Sequence, residues 1–183
     1  MPGYVFKQIQ IENFKYIPGN HPVTVNFQDS NIVILGGQNG YGKTTLFDAI
    51  ELLLNGAIKH FNTDLLNRGS ESIGVLANNQ NQNIIVKGWL SSPDGAEVFL
   101  ERKFTNSSDF SSSLFWNNTE ITQEDLYTRL ITSSNIFDIG TYISQSQSLD
   151  FLQNKYKNRK EQVSTLLANP QITQKIQFVS SAK

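Results

Sequence analysis

Cysteine is absent from the 183 residues. That excludes disulfides and thiolate metal sites and fits a reducing, cytoplasmic setting. Histidine is scarce: His21 and His60 share no metal-ligand spacing and read as ordinary surface or boundary residues. An excess of one charge is missing too. With 15 Lys and Arg against 16 Asp and Glu, the formal net charge is −1 and no global positive field points to nucleic acid. No apolar run is long enough to span a bilayer, so no membrane association is expected. The start, MPGYVFKQIQIENF, alternates apolar and polar residues; it lacks the basic and apolar blocks of a secretory signal. Internal repeats and sustained heptads are also lacking. The length suits one domain or one large piece of a domain.

What is present reads as mixed α/β. In KQIQIENF, Ile9, Ile11 and Phe14 fall on one side, and VTVNF alternates through Val23, Val25 and Phe27. The turn cluster PGNHP between them makes an antiparallel pair. NIVIL is apolar on successive residues, the pattern of a strand covered on both faces. After it, Leu46, Ala49, Ile50 and Leu53 recur at helical spacing, and Asn55-Gly56 marks a helix stop. ANNQNQN reads as a solvated loop. NIIVKGWL and EVFLERKF are strands joined by the hairpin turn SSPDGA, and SSSLFW is a candidate third strand. Thr122 is placed to cap the helix QEDLYTRLI. TYIS reads as extended, and the stretches SLDFLQ, NRKEQVSTLLA and ITQKIQFV as helical.

One motif carries chemistry. Gly37-Gln38-Asn39-Gly40-Tyr41-Gly42-Lys43-Thr44 fits G-x-x-x-x-G-K-[ST] at every fixed position. Glycines let the chain curl so that consecutive N–H groups face an anion, and the following helix adds the positive end of its dipole. In this pattern Lys43 reaches the β- and γ-phosphates and the Thr44 hydroxyl binds Mg²⁺. Thr45 is placed to donate to the α-phosphate. The bland alternative is a glycine-rich strand–helix turn that matches by chance. The apolar segment before and the amphipathic helix after it favour the nucleotide site.

A hydrolase of this class also needs an Asp at the end of an apolar strand to hold Mg²⁺ and orient water. NIFDIG, around Ile136-Phe137-Asp138, is the nearest match and is too short. DIGT and NKYK fail the GTPase patterns. The nucleotide site is therefore complete in sequence while the catalytic machinery is not.

IENFK, GGQNGYGKTTLFDAIELLLNG, then NIFDIGTYISQSQSLDFL and NRKEQVSTLL come in a distinctive order. Together they resemble the N-terminal half of the ATPase head of SMC-like and SbcC-type, RecF-like DNA-repair ATPases of the ABC class. The resemblance implies a P-loop NTPase fold with an antiparallel β subdomain. It implies residues 1–153 as the N-terminal lobe and 154–183 as a helical segment leading toward a coiled coil. It also implies ATP and Mg²⁺ as cofactors, and a C-terminal half of the same head supplying the signature motif and the missing carboxylate. ATP-bound homodimerisation of heads, DNA and, in the break-repair relatives, a nuclease subunit complete the implied partners.

Gln145 matches the family glutamine that binds Mg²⁺ and senses the γ-phosphate, since it lies six positions before Phe151. Gln147 competes for that role, and a solvated glutamine is the plain alternative. Lys15 lies where many relatives place a basic residue near the nucleotide; a solvated lysine at a strand end explains it equally. Arg68 matches the basic loop residue that contacts DNA or phosphate in some relatives. Residues 151–183 hold five lysines and one arginine against one glutamate, which fits a basic coiled-coil root or simply a solvated helical face. A non-catalytic ATP-binding scaffold and a complete small phosphotransferase are the rival functions.

Overall fold

Strict alternation sets the sheet. In β3 (Ile84–Ser91) and β4 (Glu97–Phe104), every second residue is buried and the residues between them are half-buried or exposed. The computed structural model describes residues 4–27, 32–58, 76–105 and 111–130. The other elements are β1 (Val5–Glu12), β2 (Val23–Asn26), α1 (Lys43–Asn55), β5 (Ser112–Trp116), β6 (Thr119–Ile121) and α2 (Gln123–Arg129). The strands form one sheet in the order β2-β1-β3-β4-β5-β6. Every pairing in it is antiparallel.

Register puts Ile9 opposite Gly88, Ile11 opposite Val86, Gly88 opposite Leu100 and Leu100 opposite Trp116. These residues share one face, and α1 packs on it against β3 and β4. The helix contributes Leu46, Ala49, Leu52 and Leu53, all buried. Packing is tight at Gly88, where a Cβ would stand 2.9 Å from both Leu53 Cδ2 and the Phe6 ring. The opposite face is mixed: it holds Trp89 against Phe99 at 5.2 Å between ring centroids, beside charged pairs. Lys87 lies 2.5 Å from Glu12, and Lys103 lies 2.9 Å from Glu101.

One charged residue breaks the apolar face. Arg102 is 4% exposed, and its guanidinium reaches the C-terminal end of α1. Nε donates to the Leu53 carbonyl at 2.8 Å, Nη1 to Ser112 Oγ at 3.1 Å and Nη2 to Gln123 Oε1 at 2.6 Å. Gln123 Nε2 in turn donates to the Leu54 carbonyl at 2.7 Å, and Tyr127 Oη donates to Asn55 Oδ1 at 3.0 Å. The last carbonyls of a helix lack intrahelical donors and carry partial negative charge, so a cation there answers both needs. Burial pulls the guanidinium down to about 10, the charge interaction with Tyr127 opposing it, and Arg102 stays protonated at neutral pH. Gly56 ends α1 at φ 74°, and a Cβ there would meet Arg102 Nη1 at 2.7 Å.

Most sequence expectations hold among the described residues. The β1–β2 pair, the helix with its Gly56 stop, the β3–β4 hairpin, β5 and the Thr122-capped α2 are all present. Thr122 and Asp125 form a full capping box. NIVIL departs from expectation. Residues 32–35 form no strand, and Ile32, Val33 and Ile34 are exposed by 80, 46 and 88%. A doubly covered strand needs neighbours on both sides, and the described strands pair only with one another. ANNQNQN is more than a solvated loop, because its carbonyls anchor the buried Asn13. TYIS and the helical segments after it lie outside the described residues.

Arg102→Met should leave the Leu53 carbonyl and Gln123 without a donor and cost about 2–3 kcal/mol, read as a lower urea midpoint at unchanged slope. The Asp125 carboxyl is held below its ordinary value by the Thr122 backbone N–H and then the Thr122 hydroxyl. A depressed folded pKa gives stability that is present above the ordinary Asp value and lost as pH falls through the folded one. Asp125→Asn should therefore remove part of the acid-side fall in stability below about pH 4, measured by urea titration at stepped pH.

Candidate phosphate-binding site

The glycine-rich loop meets α1 without a side-chain cap. Gly42 is the N-cap at φ 85°, and the first turn of α1 contains no acidic residue. Its first N–H groups are open toward the loop, where they favour an anion. Gly40, at φ 91°, and Gly42 hold conformations that L side chains rarely adopt. A Cβ on either would meet nothing within 4 Å, so the requirement for glycine there is conformational and the surroundings are open. Lys43 Nζ folds back to donate to the Gly37 carbonyl at 2.6 Å and the Gln38 carbonyl at 2.8 Å. An ammonium and the positive end of a helix thus converge on one concave surface. Gly37, Gln38, Asn39, Gly40, Tyr41 and Thr44 are exposed, whereas Thr45 is buried at the base.

A second segment faces this loop. Phe14 and Ile17 exchange two backbone hydrogen bonds of 2.9 Å, which makes Lys15 and Tyr16 the tip of a tight turn. Lys15 sits at φ 53°. Its N–H donates to the Leu76 carbonyl at 2.7 Å, and its carbonyl accepts from Asn78 Nδ2 at 2.9 Å. Below the turn, Asn13 is 1% exposed. Its amide donates to the Asn79 carbonyl at 2.9 Å and the Gln82 carbonyl at 2.7 Å, and its Oδ1 accepts the Asn79 N–H at 2.7 Å. A buried amide with these bonds made fixes the backbone around it.

Lys15 Nζ pairs with Asp48 Oδ2, on the buried face of α1. A cavity of about 720 Å³ brings Lys15 together with Asn39, Gly40, Gly42, Lys43, Thr44 and Thr45. Of the sequence-derived site residues, Lys15, Asn39, Gly40, Gly42, Lys43, Thr44 and Thr45 line this one cavity. Gln145, its competitor Gln147, and Arg68 lie outside the described residues. Sequence reasoning missed Asp48, Asn13 and the 76–79 segment. A carboxylate one position before Ala49, inside an apolar helix stripe, was the available signal for Asp48. The contacts of Asn13 span 66 to 69 positions and left no local pattern.

Comparison with known proteins supports the fold. A family model described as an AAA domain matches residues 8–180. The DNA double-strand break repair Rad50 ATPase of Methanocaldococcus jannaschii is 27% identical over 167 residues, which is 89% of this chain. The chain spans only 15% of that relative's length. Among solved structures, one from work on ATP-driven dimerisation and DNA-stimulated activation of SMC ATPases aligns with a TM-score of 0.65 at 19% identity, over 87% of this chain and 97% of that one. The recombination mediator RecF with ATP aligns with a TM-score of 0.52 at 19% identity, over 68% of this chain and 30% of RecF. The chain belongs to the AAA domain family, with the P-loop α/β fold of the SMC-like ATPase heads.

Proposed function

We propose that this chain is the nucleotide-binding half of an SMC-like ATPase head that works on DNA. The observation that carries the reading is Lys43 folded over the loop carbonyls at the uncapped start of α1. In this reading the loop from Gly37 to Thr44 holds the phosphates of ATP. The α1 amides and Lys43 neutralise them, and Thr45 donates to the α-phosphate. Lys15 flanks the same cavity on its fixed turn. Gln145 is the proposed sensor of the γ-phosphate.

The donor set suits a hard cation. Thr44 is exposed and lines the cavity, and a hydroxyl is the oxygen type that Mg²⁺ prefers. Among the described residues, no group of three or more His, Cys, Asp or Glu converges on a metal site. Mg²⁺, when bound with ATP, would draw its remaining ligands from phosphate, water and groups outside these residues, and would supply charge stabilisation on the phosphates.

The uncovered Ile32-Val33-Ile34 segment supports a composite head. Its apolar side chains face solvent directly before the phosphate loop, where strands from a C-terminal half would pair with it. That half would bring the signature motif and the water-orienting carboxylate. Two completed heads would then close on ATP and open after hydrolysis, holding or processing DNA, with a nuclease subunit as a further partner. Two of the three relatives described above, the Rad50 ATPase and RecF, are named for DNA repair or recombination, which supports this assignment. No described helix is long and apolar enough to cross a membrane.

Calorimetry of the full chain with Mg·ATP should show binding that Lys43→Ala weakens by about tenfold or more, since charge-assisted phosphate contacts are lost. Steady-state phosphate release by the same chain should stay at background. Lys43-dependent turnover would mean that this chain completes a catalytic site by itself, and the composite-head reading would fall.

A further inference from the structure

Asparagine before glycine is a chemically labile pair, because the glycine nitrogen, with no Cβ beside it, can reach the asparagine side chain. The sequence holds two such pairs, Asn39-Gly40 in the phosphate loop and Asn55-Gly56 at the end of α1, and the related Asp94-Gly95 between β3 and β4. Their surroundings differ. Gly56 N–H donates to the Leu52 carbonyl at 2.9 Å, and Asn55 Oδ1 accepts from Tyr127 Oη at 3.0 Å. Gly95 N–H donates to the Ser92 carbonyl at 2.9 Å, and Asp94 Oδ1 accepts from the Ala96 N–H at 3.4 Å. Asn39 and Gly40 are instead the exposed central residues of a turn, which Tyr41 N–H closes on the Gln38 carbonyl at 3.4 Å. A turn of this kind leaves the peptide between its central residues outside its own hydrogen bond. Among the described residues, neither the Gly40 N–H nor the Asn39 carboxamide has a hydrogen-bond partner. A Cβ on Gly40 would meet nothing within 4 Å, so no packed atom blocks movement there.

We propose that Asn39-Gly40 is a modification site within the phosphate loop, which deamidates in water and is protected by bound nucleotide. The Gly40 nitrogen attacks Asn39 Cγ. The bond from Cγ to the side-chain nitrogen breaks, and that nitrogen leaves as ammonia with the proton from Gly40. A cyclic imide remains, and water opens it at either carbonyl. One opening leaves aspartate at position 39, and the other leaves isoaspartate, with the main chain running through the side-chain carbon. Overall one water enters and one ammonia leaves, with no oxidant or reductant. Either product sets a carboxylate in a loop whose N–H groups face an anion, and like charges repel. Isoaspartate also adds a methylene to the backbone and so disturbs the spacing of those N–H groups. The protection rests on the nucleotide-binding reading, in which the loop N–H groups donate to phosphate. A Gly40 N–H held by an anion keeps its proton, and the turn around it is fixed.

The test is a time course of the full chain at mildly alkaline pH, digested and read by mass spectrometry for acid against amide at positions 39 and 55. Isoaspartyl methyltransferase labelling reads the isoaspartate product. Asn39 should convert at least about tenfold faster than Asn55, whose hydrogen-bonded helix end must open first. Mg·ATP at a concentration that fills the wild-type site should slow Asn39 by about fivefold or more, and by less than about twofold in Lys43→Ala. Asn39→Asp should weaken ATP binding by about tenfold or more at an unchanged urea midpoint, since its carboxylate faces the phosphates. Conversion of Asn39 no faster than that of Asn55 would overturn the site. An unchanged Asn39 rate under ATP that calorimetry shows to be bound would overturn the protection, and wild-type ATP affinity in Asn39→Asp would overturn the consequence for binding. Fast conversion of Asn39 in a chain that binds no ATP would remove the nucleotide reading and leave the modification site in place.

Discussion

The guanidinium of Arg102 on the carbonyl of Leu53 fixes where α1 sits, and α1 carries the phosphate loop. A helix packed on a sheet by apolar contacts alone can slide along its axis at little cost, because such contacts are non-directional. Directional bonds remove that freedom. Arg102 reaches from β4 to the last turn of α1, and Gln123 and Tyr127 of α2 reach the same turn from another side. Gly88 adds a steric stop, since Leu53 lies close above it. With its C-terminal end held in this way, α1 presents its uncapped N-terminal end at a set position relative to β1.

The other side of the site is held by a different device. Asn13 and Lys15 both adopt left-handed backbone conformations, at φ 53° each. Such a conformation is strained for most residues and tolerated by asparagine. The hydrogen bonds of Asn13 and Lys15 to the 76–82 segment offset that cost. The result is a rigid turn that sets Lys15 toward Asp48 and Tyr16 at the rim of the cavity. Sheet and helix thus supply two fixed walls, with the glycine-rich loop between them.

Local patterns were legible in the sequence because local physics decides them. Alternation revealed β1, β3 and β4; spacing revealed α1; Asn55-Gly56 and Thr122 marked its end and the start of α2. The loop from Gly37 to Thr44 was legible because its function dictates residue type position by position. The NIVIL segment shows where this stops. Its composition states that it belongs under cover on both faces, but composition does not say which strands provide the cover. The Lys15–Asp48 pair and the bonds of Asn13 join segments 33 to 69 positions apart, so no window of sequence contains them. Their signals, a carboxylate in an apolar helix stripe and an asparagine after an alternating strand, acquire meaning only once the sheet is assembled.

The central claim is that nucleotide phosphates sit between the start of α1 and the Lys15–Tyr16 turn. Amide hydrogen exchange on the full chain, with and without Mg·ATP, tests it most directly, because it reads each backbone segment separately. The account predicts slowed exchange at the amides of Gly40 to Thr45 and in the Leu76–Ala77 segment that braces the turn. Unchanged exchange at Gly40 to Thr45 under conditions where ATP is bound would contradict it.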